Sequence, residues 1–270
     1  MSHTWQTDRM RTRQNSAGRT DGRQKSLYSL LTAADAVLFD FDGPICSLFA
    51  RNPTAPAAKE IQDLVRAEWG ELPPSVEQSQ DSHGILRALR QDMFEEPSPA
   101  GRRLATLQQA EDVVTQYEWR AIQDADLEPH VEELLGHLSH LGKLMAIVSN
   151  NAEEPIRKYL DARGLLRHFE TVVGRDHDEL RNMKPNPYSV LRAVDMLGLD
   201  PASCLMVGDQ LSDLHAAESA GVPFLGTTSS GHRQAEMRAL DADSVVATLE
   251  PVAACAKSLA ERAVQRPDQD

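Results

Sequence analysis

Ala36-Val37-Leu38-Phe39-Asp40-Phe41-Asp42-Gly43-Pro44-Ile45 decides the fold. Four apolar residues bounded by turn formers predict a short buried strand. The run stops at two acids around one aromatic, and Gly43-Pro44 forces the backbone to turn. A strand that ends in a turn presents its last carboxylate at the carboxyl edge of a sheet. In open α/β folds that edge is where ligands bind. An acidic strand end before an Asp-Gly turn is also an ordinary polar terminus, so the stretch gains meaning only from what accompanies it.

Outward from that strand, the chain repeats the pattern. Leu144–Val148 is a second predicted strand, ending at Ser149-Asn150-Asn151. Phe169–Val173 is a third, Cys204–Val207 a fourth ending at Gly208-Asp209, Val222–Thr227 a fifth and Ser244–Val246 a sixth. Helical spacing separates them over 131–141, 155–163 and 187–197, and again before Gly221. Strands alternating with helices predict an α/β fold: a Rossmann-like parallel sheet with helices on both faces.

Residues 46 to about 140 carry no strand pattern, yet a parallel crossover needs only a dozen residues. Three apolar stripes fill the interval. They are Ile61, Leu64, Val65 and Trp69; Ile85, Leu86, Leu89 and Met93; and Leu104, Leu107, Ala110, Val113, Val114 and Tyr117. Each is expected to be core rather than a binding box, with Trp69 and Trp119 packed inside. The expected organisation is a basic tail over 1–26, a core domain over 27–45 and 126–270, and an inserted α-helical cap domain over 46–125.

Composition sets outer limits. Hydrophobic residues make up 41% and charged ones 26% of the 270, as in soluble globular proteins. No membrane-length apolar run or signal peptide is visible. Cys46, Cys204 and Cys255 lack metal-ligand spacing and read as small reduced thiols, so the cytoplasm is the expected compartment. Net charge is −13; the first 26 residues carry a local +4, leaving −17 on the rest. An acidic body argues against nucleic-acid and membrane partners, and the tail reads as a solvated, disordered extension.

Three strands thus end in groups suited to one site: Asp40 and Asp42, then Ser149 and Asn150, then Asp209 with Asp213 four residues on. Lys184 joins from the loop after the third strand. Four carboxylates beside one lysine cannot all stay ionised without a further cation. Oxygen ligands alone suit a hard ion, Mg²⁺ best, and the set suits a phosphoryl dianion.

Asp40-Phe41-Asp42-Gly43, Val148-Ser149-Asn150, Lys184-Pro185-Asn186-Pro187 and Gly208-Asp209-Gln210-Leu211-Ser212-Asp213 stand in the order of the four motifs of the haloacid dehalogenase-like hydrolase superfamily. The resemblance spans about residues 35–250 and is to members with a helical cap after the first motif, the phosphoglycolate-phosphatase-like kind. It implies a Mg²⁺-dependent phosphatase acting on a small phosphorylated metabolite. Asp40 would be the nucleophile that forms an aspartyl-phosphate, and Asp42 the general acid and base. Asp40, the Asp42 backbone carbonyl and Asp209 would hold Mg²⁺, with Asp213 orienting a metal water or Lys184. Ser149, Lys184 and the Asn150 amide would grip the phosphoryl oxygens.

One departure stands out: the family usually has Thr or Val where this chain has Pro44, which removes a backbone N–H that could touch phosphate. Asp42 favours phosphate monoesters over dehalogenation or phosphonate cleavage. A phosphomutase would keep the same residues, and a response-regulator-like module or a non-catalytic binding member are further alternatives. Among other candidates, His83, Arg87 and Arg90 could reach a substrate from the cap. His177 and His215 read more simply as surface groups, and Gly226–Gly231 as a plain loop. Oligomeric state is not readable.

Overall fold

The computed structural model describes residues 24–95, 100–177 and 179–265, with only the backbone of 91–95 and 100–103. Most of the predicted tail therefore lies outside the described residues. Its end is tied down: Lys25 pairs with Asp243 at 2.8 Å, and the Ser26 side chain caps α1 (Leu27–Ala33).

β1 (Ala36–Phe39) follows, then β2 (Cys46–Ser47), α2 (Ala55–Trp69), α3 (Pro74–Glu77), α4 (Ser82–Glu95), α5 (Ala100–Asp124) and β3 (Asp126–Leu127). The chain then alternates: α6 (Val131–His140), β4 (Leu144–Val148), α7 (Glu153–Ala162), β5 (Thr171–Val173), α8 (Tyr188–Leu197), β6 (Cys204–Gly208), α9 (Leu211–Ala220), β7 (Phe224–Thr227), α10 (Gly231–Ala239), β8 (Ser244–Val246) and α11 (Glu250–Val264).

Six strands form one parallel sheet in the order β5-β4-β1-β6-β7-β8. The chain works outward from β1 to one edge, then returns to its other side and works outward again. The strand order reverses beside β1, which makes its carboxyl end the switch point where such sheets bind ligands.

Residue alternation explains the layering. Val37 and Phe39 join one apolar cluster with Ile147, Val207, α6, α7 and α11. Ala36 and Leu38 face the other way, into a cluster with Val148, Met206 and residues of α8 and α9. A period of two on a strand buried on both faces requires helices on both sides, as found.

The four helices between β1 and β3 build a third cluster from Ile61, Val65, Ile85, Leu86, Leu89, Leu107 and Val114. Leu180 and Met183, from the loop that carries Lys184, complete it. The helical layer therefore packs on the same loop that supplies the site's lysine.

Two expectations fail here. The stretch 46–140 does hold strands: β2 and β3 pair antiparallel where the chain enters and leaves the helical layer. Two residues each are too few to show a period. Leu104 and Trp119 are exposed, at 42% and 38%. Trp119 follows Glu118, which takes the inward position on α5, and one helical residue turns the next side chain about 100° away.

Candidate active site

β1 delivers Asp40 at the sheet's carboxyl edge, between β4 with Ser149 and β6 with Asp209. The Lys184 ammonium lies 2.9 Å from Asp40 Oδ1 and 2.7 Å from Asp213 Oδ1, and donates to the Val148 carbonyl at 2.9 Å. Lys184 is 1% exposed. Burial opposes its charge, but Asp213 and then Asp40 outweigh that and hold its pKa above the usual lysine value. Lys184 is thus the counter-charge to two carboxylates and also lines the cavity above them.

Asn150 reinforces the loop that carries Lys184. Its side-chain Oδ1 accepts from Lys184 N at 2.7 Å, and its Nδ2 donates to Lys184 O at 3.0 Å. The side chain clamps the lysine's backbone. Arg87 adds a bond to the same Lys184 carbonyl at 2.7 Å.

Asp213 is placed by the start of α9: its Oδ2 accepts from Gln210 N at 3.0 Å, the reciprocal half of a capping box. Gly208 is required beside it, since a Cβ there would fall 2.5 Å from Asp213 Cβ. Gly43 has φ +119°, and a Cβ would fall 2.5 Å from Asp209 Cγ, so the turn after Asp42 packs on Asp209. Pro44 sits within that turn, where Ile45 and Cys46 N–H groups go to the Phe41 carbonyl.

Asp40, Asp209 and Asp213 offer carboxylate oxygens that all lie within 4.8 Å of one another. Among the described residues, buried Asp209 Oδ1 has no hydrogen-bond partner. Burial, then the charges of Asp213, Asp40 and Asp42, push its pKa up to about 8. An orphaned buried oxygen in an all-carboxylate set is what a hard divalent cation would satisfy. The Asp42 carboxylate is not in this set: its Oδ1 accepts from Leu48 N at 2.8 Å. Burial and then the Asp40 charge raise its pKa to about 6.

A cavity of about 520 Å³ opens above these groups, with Thr54, Asp81, His83 and Arg87 of the helical layer opposite Asp40, Asp42 and Ser149. That size suits a small ligand. Of the other candidates, Arg90 bonds Glu179, His177 lies 2.7 Å from Glu111, and His215 lies 3.8 Å from Glu218; none lines this cavity. Thr227, Thr228 and Ser229 line a second cavity, of about 310 Å³, that also reaches Asp209. Ser230 caps α10.

Sequence reasoning missed Gln210 and Arg233, which bond each other at the cavity rim, and the buried trio Glu111, Glu118 and Arg175. The two glutamates had a visible mark: with Leu107, Val114, Ala121 and Ile122 they occupy the inward positions of α5, so the apolar stripe is interrupted by acids.

Comparison with known proteins agrees with this architecture. The family model described as haloacid dehalogenase-like hydrolase matches residues 34–221. The phosphoglycolate phosphatase of Thiobacillus denitrificans is 30% identical over 222 residues, covering 79% of this chain and 92% of that protein. That of Salmonella typhi is 29% identical over 168 residues, covering 62% of this chain and 65% of that protein, just under two thirds of its length. The crystal structure of a haloacid dehalogenase-like hydrolase from Bacteroides fragilis superposes with a TM-score of 0.58 at 22% identity, over 81% of this chain and 99% of that one.

Proposed function

The chain belongs to the haloacid dehalogenase-like hydrolase family and is an enzyme of its phosphatase kind, and from that premise we propose that it hydrolyses a small phosphate monoester through an aspartyl-phosphate on Asp40. The observation that carries the reading is the buried Lys184 ammonium between Asp40 and Asp213, with the orphaned Asp209 oxygen in the same cluster. The helices over 46–125 are the cap that selects the substrate. 2-Phosphoglycolate is the first compound to try, because the relatives above carry that activity in their names.

Asp40 Oδ1 is committed to Lys184 and to the Phe41 N–H at 2.7 Å, so Oδ2 is the oxygen that attacks phosphorus. The phosphorus–ester oxygen bond breaks, and Asp42 gives its proton to the departing oxygen. Water then attacks the aspartyl-phosphate, Asp42 takes the water's proton, and phosphate and free Asp40 result. Splitting one hard displacement in two is what the nucleophile contributes. The Ser149 hydroxyl holds a phosphoryl oxygen meanwhile.

Asp40, Asp209 and Asp213 are the side chains to hold or orient Mg²⁺, with the Asp42 backbone carbonyl. When bound, the ion supplies positive charge against the phosphoryl oxygens. Hydrolysis of p-nitrophenyl phosphate in Mg²⁺ is expected to stop on adding EDTA and return with excess Mg²⁺. Unchanged turnover in EDTA would defeat the metal assignment.

Asp42 gives a second test. A pKa of about 6 keeps its proton available at mildly acidic pH, so kcat/KM is expected to fall as pH rises above about 6. Asp42→Asn should abolish that descending limb. In kcat/KM, which reports the first P–O cleavage and not the later hydrolysis, it should cost roughly 10²- to 10⁴-fold with an alkyl phosphate but far less with p-nitrophenyl phosphate, whose leaving group needs little protonation. Equal losses of kcat/KM on both substrates would exclude Asp42 as the acid.

A further inference from the structure

Glu118 on α5 is fully buried and receives hydrogen bonds from four residues. The nearest donors are Arg175 Nη1 at 2.7 Å, His83 Nε2 at 2.9 Å, the Ala152 N–H at 2.9 Å and Asn151 Nδ2 at 3.2 Å. Burial alone would favour its neutral form, but Arg175 and His83 reverse this and bring the pKa to about 2, so it is a carboxylate at any working pH.

Two of the donors belong to the loop after β4, the loop that carries Ser149. Asn151 is the link: the Ser149 hydroxyl donates to Asn151 Oδ1 at 3.0 Å, and Asn151 N–H donates to Ser149 Oγ at 3.3 Å. Arg175 reinforces the same loop. Its Nη1 donates to Asn150 O at 2.9 Å and its backbone N–H to Asn151 O at 2.7 Å, while its Nε and Nη2 go to Glu111, Thr115 and the second Glu118 oxygen on α5. A buried ion pair adds little net stability compared with apolar packing. A fully satisfied network does fix geometry.

We propose that Glu118 is a positioning residue for phosphoryl transfer: from the helical layer it fixes Asn151, and through it holds Ser149 Oγ at the cavity wall, where the hydroxyl turns from Asn151 Oδ1 to a phosphoryl oxygen when substrate arrives. The cap helix is thereby part of the phosphate grip as well as a cover, and a change on α5 is felt at a serine it does not touch. His83, held by the same carboxylate, faces the cavity opposite Asp42 and is fixed with it. This inference rests on the assignment of Ser149 to the phosphoryl group.

The test is a double-mutant cycle on p-nitrophenyl phosphate with Mg²⁺. Glu118→Gln keeps size and one acceptor oxygen but loses the charge that aligns the donors. It is expected to lower kcat by roughly ten- to a hundredfold, as for a small misplacement of a reacting group, with KM within about twofold. In a Ser149→Ala background the same substitution should cost less than about threefold, because the hydroxyl it positions is gone. Asn151→Ala leaves the Arg175 pairs intact and should show the same dependence on Ser149, which keeps the test available should Glu118→Gln fail to fold. Equal fold-losses with and without Ser149 would overturn the inference alone. Wild-type turnover in Ser149→Ala by itself would remove the phosphate role of Ser149 on which it rests.

Discussion

Asp40→Asn is expected to lower turnover of p-nitrophenyl phosphate by roughly a thousandfold or more while the fold persists. The substitution preserves side-chain size and the oxygen that accepts from the Phe41 N–H. Lys184 loses one counter-charge and keeps Asp213 at 2.7 Å. The buried ammonium is therefore still paired, and the thermal midpoint should move by no more than a few degrees, about 1–2 kcal/mol for a chain of this size. Activity and stability separate in this variant, which distinguishes a nucleophile from a structural acid. Retention of most of the turnover would remove Asp40 from its role.

Lys184→Met is expected to damage both. It leaves Asp40 and Asp213 facing each other in a site where Lys184 is 1% exposed. Removing one partner of a buried pair costs about 3–5 kcal/mol, because the remaining charges are neither solvated nor paired. The loss has a pH sign. Asp213 already has its pKa raised to about 6, by burial that exceeds the pull of Lys184. Without the lysine that pKa rises further. A carboxyl whose folded pKa is raised destabilises the fold increasingly as pH rises through that value. The deficit against the wild type should thus be larger at pH 8 than at pH 5 in EDTA, where Asp213 can take a proton. Urea midpoints at the two pH values measure it. A deficit below about 1 kcal/mol at pH 8 would mean that the pair is solvated after all.

The sheet was legible because its strands are buried on both faces and end in punctuation. Ala36–Phe39, Leu144–Val148 and Cys204–Gly208 are apolar runs that stop at Asp40, Ser149 and Asp209, so strand, edge and polar group could be read together. The convergence of those groups followed from parallel strands sharing one edge. Which atoms they satisfy did not follow. Motif position marked Lys184 and Asn150 as site residues, but it did not show that the ammonium would face Asp40, Asp213 and Val148 or that the Asn150 side chain would clamp the backbone of Lys184. Hydrogen-bond allocation depends on distances between loops, and a linear chain does not carry it.

The helical layer shows a different limit. Apolar stripes located α2, α4 and α5, but the stripe on α5 misplaced Leu104, and Trp119, also expected in the core, is exposed. The phase of a long helix is set by its neighbours, and α5 turns acids inward at 111 and 118 because Arg175 waits there. Arg175 has no pattern of its own: it is one charged residue after Gly174. Only the fold makes it a partner. β2 and β3 are shorter than any period and depend wholly on the two chain crossings lying side by side.

The most direct measurement is to quench the enzyme in acid during turnover of a ³²P-labelled phosphate monoester and locate the label by peptide mapping. The expected result is an acid-stable, alkali-labile acyl phosphate on the peptide containing Asp40, absent from Asp40→Asn. Label on another residue, or turnover with no labelled enzyme at any quench time, would contradict the mechanism built on that carboxylate.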